Sequence, residues 1–90
     1  MPTRAPSPAR IEAQRMKLRR DLASASAQRL RRRGLKQVQC AADLGISQPR
    51  LNGLLNGRIE LFSLDTLVEL AQRSGLNVAI RVTRPYAASQ

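Results

Sequence analysis

Apolar residues recur at three- and four-residue intervals along much of this chain, the spacing of helices that bury one face. The clearest example has i, i+3, i+4, i+7 spacing and consists of Leu64, Leu67, Val68 and Ala71. Ser63 precedes this set and belongs to the residue types that cap helix starts, whereas Gly75 follows it and suits a helix end. The pattern therefore predicts a helix between Ser63 and Gly75.

A first helix is predicted from Asp21 to Arg33. Asp21 can cap its start, and a cluster of arginines near its end suits the negative end of the helix dipole. Gly34 can adopt the left-handed conformation that ends a helix. The predicted core residues of this helix are Leu22, Ala25, Ala27 and Leu30.

Between these two lies a pair of short helices, predicted over residues 36–44 and 47–56. Gly45 and Ile46 form the turn between them, and Ser47 can cap the second helix. The predicted inward residues of the pair are Val38, Ala41, Leu44, Ile46, Leu51 and Leu54. A small residue at Ala41 would let the two helices cross closely. The spacing is that of a helix-turn-helix motif, and the alternative is an ordinary helical hairpin.

Polar side chains remain on the outer side of this motif, and amide and guanidinium groups are the chemistry of contacts to base edges and phosphates. Gln48 suits a bidentate contact to adenine, and Arg50 suits either guanine or a phosphate. Residues at the two helix starts suit phosphates. The predicted DNA-binding residues are Lys36, Gln37, Ser47, Gln48, Arg50, Asn52 and Asn56. The alternative for each is simple solvation.

The segment of residues 77–83 changes the pattern, because its apolar residues alternate with polar ones: Val78, Ile80 and Val82 share one face. Alternation predicts a β-strand, which Pro85 would end. No other segment of the chain predicts a strand, so we expect pairing with a second copy across a two-fold axis. The alternative is an extended tail against the chain's own helices.

Charge is concentrated near the N-terminus. The chain has a formal net charge of +10. Residues 1–33 hold ten basic and two acidic residues, whereas residues 34–90 hold six basic and four acidic residues. Such asymmetry indicates a polyanionic partner, although a solvated tail is the alternative. Residues 1–20 are rich in proline and arginine and predict a largely disordered arm, within which residues 11–20 could be helical. Residues 84–90 predict a flexible tail.

The composition disfavours an enzyme, and we expect no catalytic residue, metal or cofactor. The chain has no histidine and a single cysteine, Cys40, which lies among apolar positions. The sequence therefore offers no histidine as a general base for the thiol, and it contains no cluster of zinc ligands. No apolar run reaches membrane-spanning length and no signal-peptide core precedes the helices, so a cytoplasmic protein is expected.

Residues 37–56 resemble the DNA-binding domains of the lambda-repressor/Cro-like, or Xre-type, helix-turn-helix family. Residues 47–50 (Ser-Gln-Pro-Arg), 54–67 and 75–82 are, in addition, similar to HigA-type antitoxins of that family. The resemblance implies a dimer that represses its own operon and a RelE-like ribonuclease toxin as partner. Lys36 departs from the pattern, because the family often has Thr or Ser at the start of the second helix. The Arg-rich segment before Asp21 also lies outside the residues that carry the resemblance.

Together these features predict a mainly α fold, a lambda-repressor-like domain of four to five helices with one C-terminal β-strand paired across a homodimer. The predicted division is an arm over 1–20, the domain over 21–83 and a tail over 84–90. The predicted function is a DNA-binding repressor of a palindromic double-stranded operator, acting as the antitoxin of a type II toxin–antitoxin pair. The alternative is a phage-type or stand-alone regulator without a toxin.

Overall fold

The computed structural model describes residues 5–84, most of which are helical, and the predicted mainly α class is confirmed. The elements, in chain order, are α1 (Pro8–Arg33), α2 (Gln37–Leu44), α3 (Gln48–Leu55), a 3₁₀ turn (Ile59–Leu61) and α4 (Leu64–Arg73). None of the helices in this part of the chain is long and apolar enough to cross a membrane.

Helix α1 starts at Pro8, well before the Asp21 start that the sequence predicted. Ser7 caps it, because its Oγ accepts a hydrogen bond from the Arg10 backbone N–H at 3.2 Å. Asp21 lies inside the helix, where its carboxylate accepts a hydrogen bond from Lys17 Nζ at 2.9 Å. Residues 8–20, predicted as part of a largely disordered arm in which residues 11–20 could be helical, thus form the first half of α1. Residues 1–4 lie outside the described residues.

The second half of α1 provides one wall of the hydrophobic core, and α4 is its main partner. Six leucines, at most 2% exposed, form the centre of the core: Leu30, Leu44, Leu51, Leu54, Leu67 and Leu70. Met16 and Leu22 are partly buried against it, so the core anchors the helix on both sides of Asp21. This packing explains why α1 continues where the sequence suggested a start.

Two predicted core positions are exposed instead. Val38 is 61% exposed, and Ala25 also faces solvent. The buried face of α2 is formed by Cys40, Ala41 and Leu44. Because each residue turns the helix by roughly 100°, Val38 points about a third of a turn away from the middle of that face. Cys40 is thus a buried core residue, as its apolar neighbours suggested.

After α4 the chain runs through Gly75 into residues 76–84, which have no regular secondary structure. Within the described residues no β-strand is present, because a strand needs a hydrogen-bonded neighbour and the single chain offers none. Val78 is half-buried, Ile80 is 52% exposed and Val82 is 93% exposed. Pairing of residues 77–83 with a second copy therefore stays a prediction, and Pro85 and the remaining tail lie outside the described residues.

Candidate nucleic-acid interface

Helices α2 and α3 are joined by a turn of three residues, Gly45 to Ser47. Gly45 has the left-handed conformation, with φ 70° and ψ 31°. The turn is closed by the Ile46 N–H, which donates to the Ala41 carbonyl at 3.0 Å, and by the Gly45 N–H, which donates to Ala42 at 3.1 Å. The predicted helix-turn-helix geometry is confirmed.

We expect Gly45→Ala to destabilise the domain by about 1 kcal/mol, because an L-residue is strained in the left-handed region. The cost is conformational rather than steric, since a Cβ at Gly45 would meet only Arg73 Nη1, at 3.5 Å. Urea unfolding followed by circular dichroism measures the change. Gly45→Asn is the matched control, because asparagine tolerates the left-handed conformation better than alanine does. If both variants lose the same free energy of unfolding, the cost does not come from backbone conformation.

Helix α3 has its N-terminus fixed by Ser47, whose Oγ accepts a hydrogen bond from the Arg50 backbone N–H at 3.3 Å. Leu51 and Leu54 face the core at 0% and 1% exposure. Beside this buried face runs an exposed row of carboxamides at four-residue spacing, which we call the amide stripe: Gln48 and Asn52 on α3, and Asn56 at its C-cap. Residues four apart are neighbours on a helix surface, so successive amides of the row point within about 40° of each other.

The N-terminus of α2 meets the far end of this stripe. Gln37, Asn52 and Asn56 line one cleft of about 350 Å³, together with Arg31 and apolar side chains. Lys36 is exposed at the N-cap position of α2, where its side chain makes no capping hydrogen bond. All seven predicted DNA-binding residues are exposed, and the cleft brings Gln37, Asn52 and Asn56 together.

Arg50 lies apart from the amide stripe. It is two residues from Gln48 and two from Asn52, which places it roughly 160° around the helix from both. Its guanidinium lies over the ring of Phe62, with Cζ 4.7 Å from the ring centroid. Phe62 was not among the predicted site residues, although it is the only phenylalanine of the chain.

Two arginines at the end of α1 hold the helix-turn-helix motif in place. The sequence predicted them only as cations that suit the end of a helix, and this second role was missed. Arg31 Nη2 donates to the Leu55 carbonyl at 2.8 Å and thereby satisfies a backbone group at the C-terminus of α3. Arg33 forms an ion pair with Asp43 of α2 at 2.9 Å, and both side chains are about one third exposed. Both helices of the motif are thus tied to α1 by polar contacts as well as by the core.

The amide stripe contains no titratable side chain. Among residues 5–84 the one carboxyl whose pKa departs clearly is that of Glu60 on the 3₁₀ turn: a backbone hydrogen bond and then the Arg58 side chain lower its pKa below the ordinary value. Among residues 5–84 no group of three His, Cys, Asp or Glu residues is placed to hold a metal ion. The chemistry of this surface is therefore that of neutral hydrogen-bonding amides beside cations.

Comparison with known proteins agrees with this geometry. The family model for the helix-turn-helix domain matches residues 8–83. One similar solved structure is described as an XRE-family transcriptional regulator: it is 31% identical, has a TM-score of 0.75, and the match covers 83% of this chain and 84% of that one. The comparison with curated proteins gave no match. The chain thus belongs to the helix-turn-helix domain family and, within it, to the XRE-type transcriptional regulators.

Proposed function

We propose that this protein is a sequence-specific DNA-binding repressor whose α3 helix reads the major groove as one half of a homodimer. The observation that carries the proposal is the amide stripe of Gln48, Asn52 and Asn56, exposed on one face of α3. An α-helix fits the major groove, where glutamine and asparagine can donate to N7 and accept from N6 of adenine in a bidentate contact. The preferred half-site therefore contains A·T pairs.

Phosphate contacts at the groove edges would orient the stripe. Lys36 and Gln37 lie at the N-terminus of α2, where unpaired backbone N–H groups also favour anions. Ser47 lies at the N-terminus of α3, where its Oγ accepts a hydrogen bond from the Arg50 backbone N–H, and its O–H could still donate to a phosphate. These groups would fix the register of the helix without reading sequence.

The proposal is tested by the affinity for the duplex upstream of the chain's own gene against a shuffled duplex of the same composition. Fluorescence anisotropy at one stated salt concentration gives both dissociation constants. We expect a ratio of at least about 10³, the lower end for specific binders, and equal affinities would contradict the proposal.

The dimer would form through residues 77–83, paired as antiparallel strands across a two-fold axis. The support is the exposure of Ile80 and Val82 in the single chain, where they bury little apolar surface. Pairing would satisfy the backbone groups of the segment and cover these side chains. Two α3 helices would then address half-sites about 34 Å apart, which corresponds to a palindromic operator.

We expect Ile80→Asp to convert the dimer to a monomer, because it places a charge within the paired face. Sedimentation velocity at micromolar concentration distinguishes the two states. Ala79→Asp is the matched control, since it adds the same charge on the opposite face of the strand. A monomeric wild-type protein, or two variants that behave alike, would contradict this mode of pairing.

The antitoxin role is part of the proposal and is supported by the resemblance of residues 47–50, 54–67 and 75–82 to HigA-type antitoxins. It requires a RelE-like ribonuclease that binds this chain. Co-expression with the neighbouring gene, followed by purification through a tag on this chain, would yield a stoichiometric complex. If no ribonuclease co-purifies and the DNA binding is intact, the chain is a phage-type or stand-alone regulator instead.

A further inference from the structure

A buried glycine lies inside α3, although the backbone there does not need one. Gly53 belongs to the helix and its φ is not positive, unlike the φ of Gly45 in the turn. Glycine is a poor helix former compared with alanine, and α3 has only eight residues. The reason for this glycine is therefore to be sought in what packs against it.

The space beside Gly53 is taken by Leu61 of the 3₁₀ turn. A Cβ at Gly53 would lie 2.6 Å from Leu61 Cδ1, closer than two carbon atoms can pack. The Arg58 N–H donates to the Gly53 carbonyl at 2.8 Å and holds the start of the connector on α3. Leu61 is nevertheless 41% exposed, whereas Ile59 and Phe62 on either side are buried. The glycine thus lets an exposed leucine lie directly on α3.

Leu61 lies on a flank of α3, between the amide stripe and the buried face. At roughly 100° per residue, Gly53 is about 100° around the helix from Asn52, and the core residue Leu54 is about 100° further on. The major groove is about 12 Å wide, and a helix with its side chains is about 10–12 Å in diameter. When the amide stripe faces the groove floor, the side chain over Gly53 therefore lies at the edge of the floor, beside one wall.

An aliphatic side chain at this edge suits one base group in particular. Phosphate oxygens in the wall accept hydrogen bonds, which leucine cannot donate. Of the base groups that mark the major groove, the C5-methyl of thymine is the apolar one, and the others are hydrogen-bond donors or acceptors. This methyl lies on the side of the base that is nearest to its own backbone, at the foot of the wall. It is thus the part of a base that a side chain on the flank of α3 meets first.

We propose that Leu61 reads thymine: its exposed side chain packs on the C5-methyl group of a thymine in the half-site, in a position that Gly53 makes available. The inference rests on the proposed function, since it needs α3 in the major groove. It adds an apolar contact from the 3₁₀ turn to the hydrogen bonds of the amide stripe. Both kinds of contact favour A·T pairs.

The test replaces the thymines of the duplex upstream of the chain's own gene, one at a time, by deoxyuridine, which pairs in the same way and lacks only the methyl group. Fluorescence anisotropy gives the affinities of the wild type and of Leu61→Ala, with folding checked by circular dichroism. We expect one thymine in each half-site at which deoxyuridine weakens wild-type binding by roughly fourfold, the effect of one lost methyl contact. At that position the replacement should have no effect on Leu61→Ala.

Two further variants separate the position of the leucine from its size. Gly53→Ala adds a Cβ that forces Leu61 Cδ1 to move, so it should reduce the deoxyuridine effect while the leucine is still present. An unchanged effect would overturn the role of Gly53. Ile11→Ala is the matched control, because Ile11 is 39% exposed and lies near the start of α1. It should keep the wild-type response to deoxyuridine, and loss of that response would overturn the assignment to Leu61.

Three outcomes for Leu61→Ala and the wild type decide the question. If every sensitive thymine stays sensitive in Leu61→Ala, another side chain contacts the methyl group and the inference is overturned. If Leu61→Ala binds the upstream and the shuffled duplex equally less well and no thymine is sensitive, Leu61 contacts only the backbone wall, which also overturns it. A wild-type protein that binds both duplexes with equal affinity contradicts sequence-specific repression itself, and thymine reading with it.

Discussion

The double variant Gln48→Ala/Asn52→Ala is expected to lose a large part of its sequence preference while it stays folded. Each bidentate contact to a base contributes about 1–3 kcal/mol of discrimination, so two contacts together correspond to a loss of roughly 30-fold or more. Both side chains are exposed on α3, so we expect the free energy of unfolding to change by no more than about 0.5 kcal/mol. Fluorescence anisotropy with preferred and shuffled duplexes measures the discrimination.

Gln72→Ala is a suitable control for this experiment, because Gln72 is an exposed carboxamide on α4, outside the amide stripe. It should leave both affinities unchanged. If the double variant discriminated between the duplexes as well as the wild type does, the amide stripe would not be the surface that reads the bases.

Leu51→Ala is expected to have the largest effect on stability. Leu51 is 0% exposed and lies on the core side of α3, so truncation removes buried methyl groups and leaves a cavity. Such a change costs about 2–5 kcal/mol, against a total stability of about 5–15 kcal/mol for natural domains. Urea unfolding followed by far-ultraviolet circular dichroism measures the change. Because the loss is a large part of the total stability, we expect much or all of the variant protein to be unfolded.

The control is Leu35→Ala, because Leu35 is 40% exposed and its truncation should lower the free energy of unfolding much less. A loss for Leu51→Ala no greater than that for Leu35→Ala would contradict the description of the core. Comparison with the amide-stripe variant separates two ways of losing DNA binding. Leu51→Ala acts by unfolding α3, whereas Gln48→Ala/Asn52→Ala removes contacts from a folded helix.

Features that depend on local chemistry were predictable from the sequence. The turn at Gly45 follows from its freedom to adopt a positive φ, and the starts of α3 and α4 follow from the capping hydroxyls of Ser47 and Ser63. The buried face of α4 followed from apolar spacing, with Leu67 and Ala71 both 0% exposed. In each case the determining groups lie within a few residues of one another.

Features that depend on contacts between distant residues were not predictable. Asp21 looked like a helix start because its side chain could cap one, but Met16 and Leu22 pack on the core and continue the helix across it. Arg31 bonds to Leu55, 24 residues further along the chain, and Arg50 stacks on Phe62. No local pattern identifies such partners, because the fold selects them.

The candidate interface was predictable in composition but not in arrangement. The seven residues were recognisable as polar positions of the motif, and all are exposed. The separation of Arg50 from the amide stripe depends on which face of α3 the core covers and on the position of Phe62 beneath Arg50. The strand predicted over residues 77–83 is a different case, since a strand is a property of two paired segments and only one is present in a single chain.

The most direct test of the central claim is selection of duplexes from a random pool by the purified wild-type protein at physiological salt. We predict enrichment of one palindrome whose half-sites contain A·T pairs and lie about 10 base pairs apart, measured between their centres. This enrichment should be lost with Gln48→Ala/Asn52→Ala. A pool that stays random after successive rounds, or the same palindrome selected by the double variant, would contradict it.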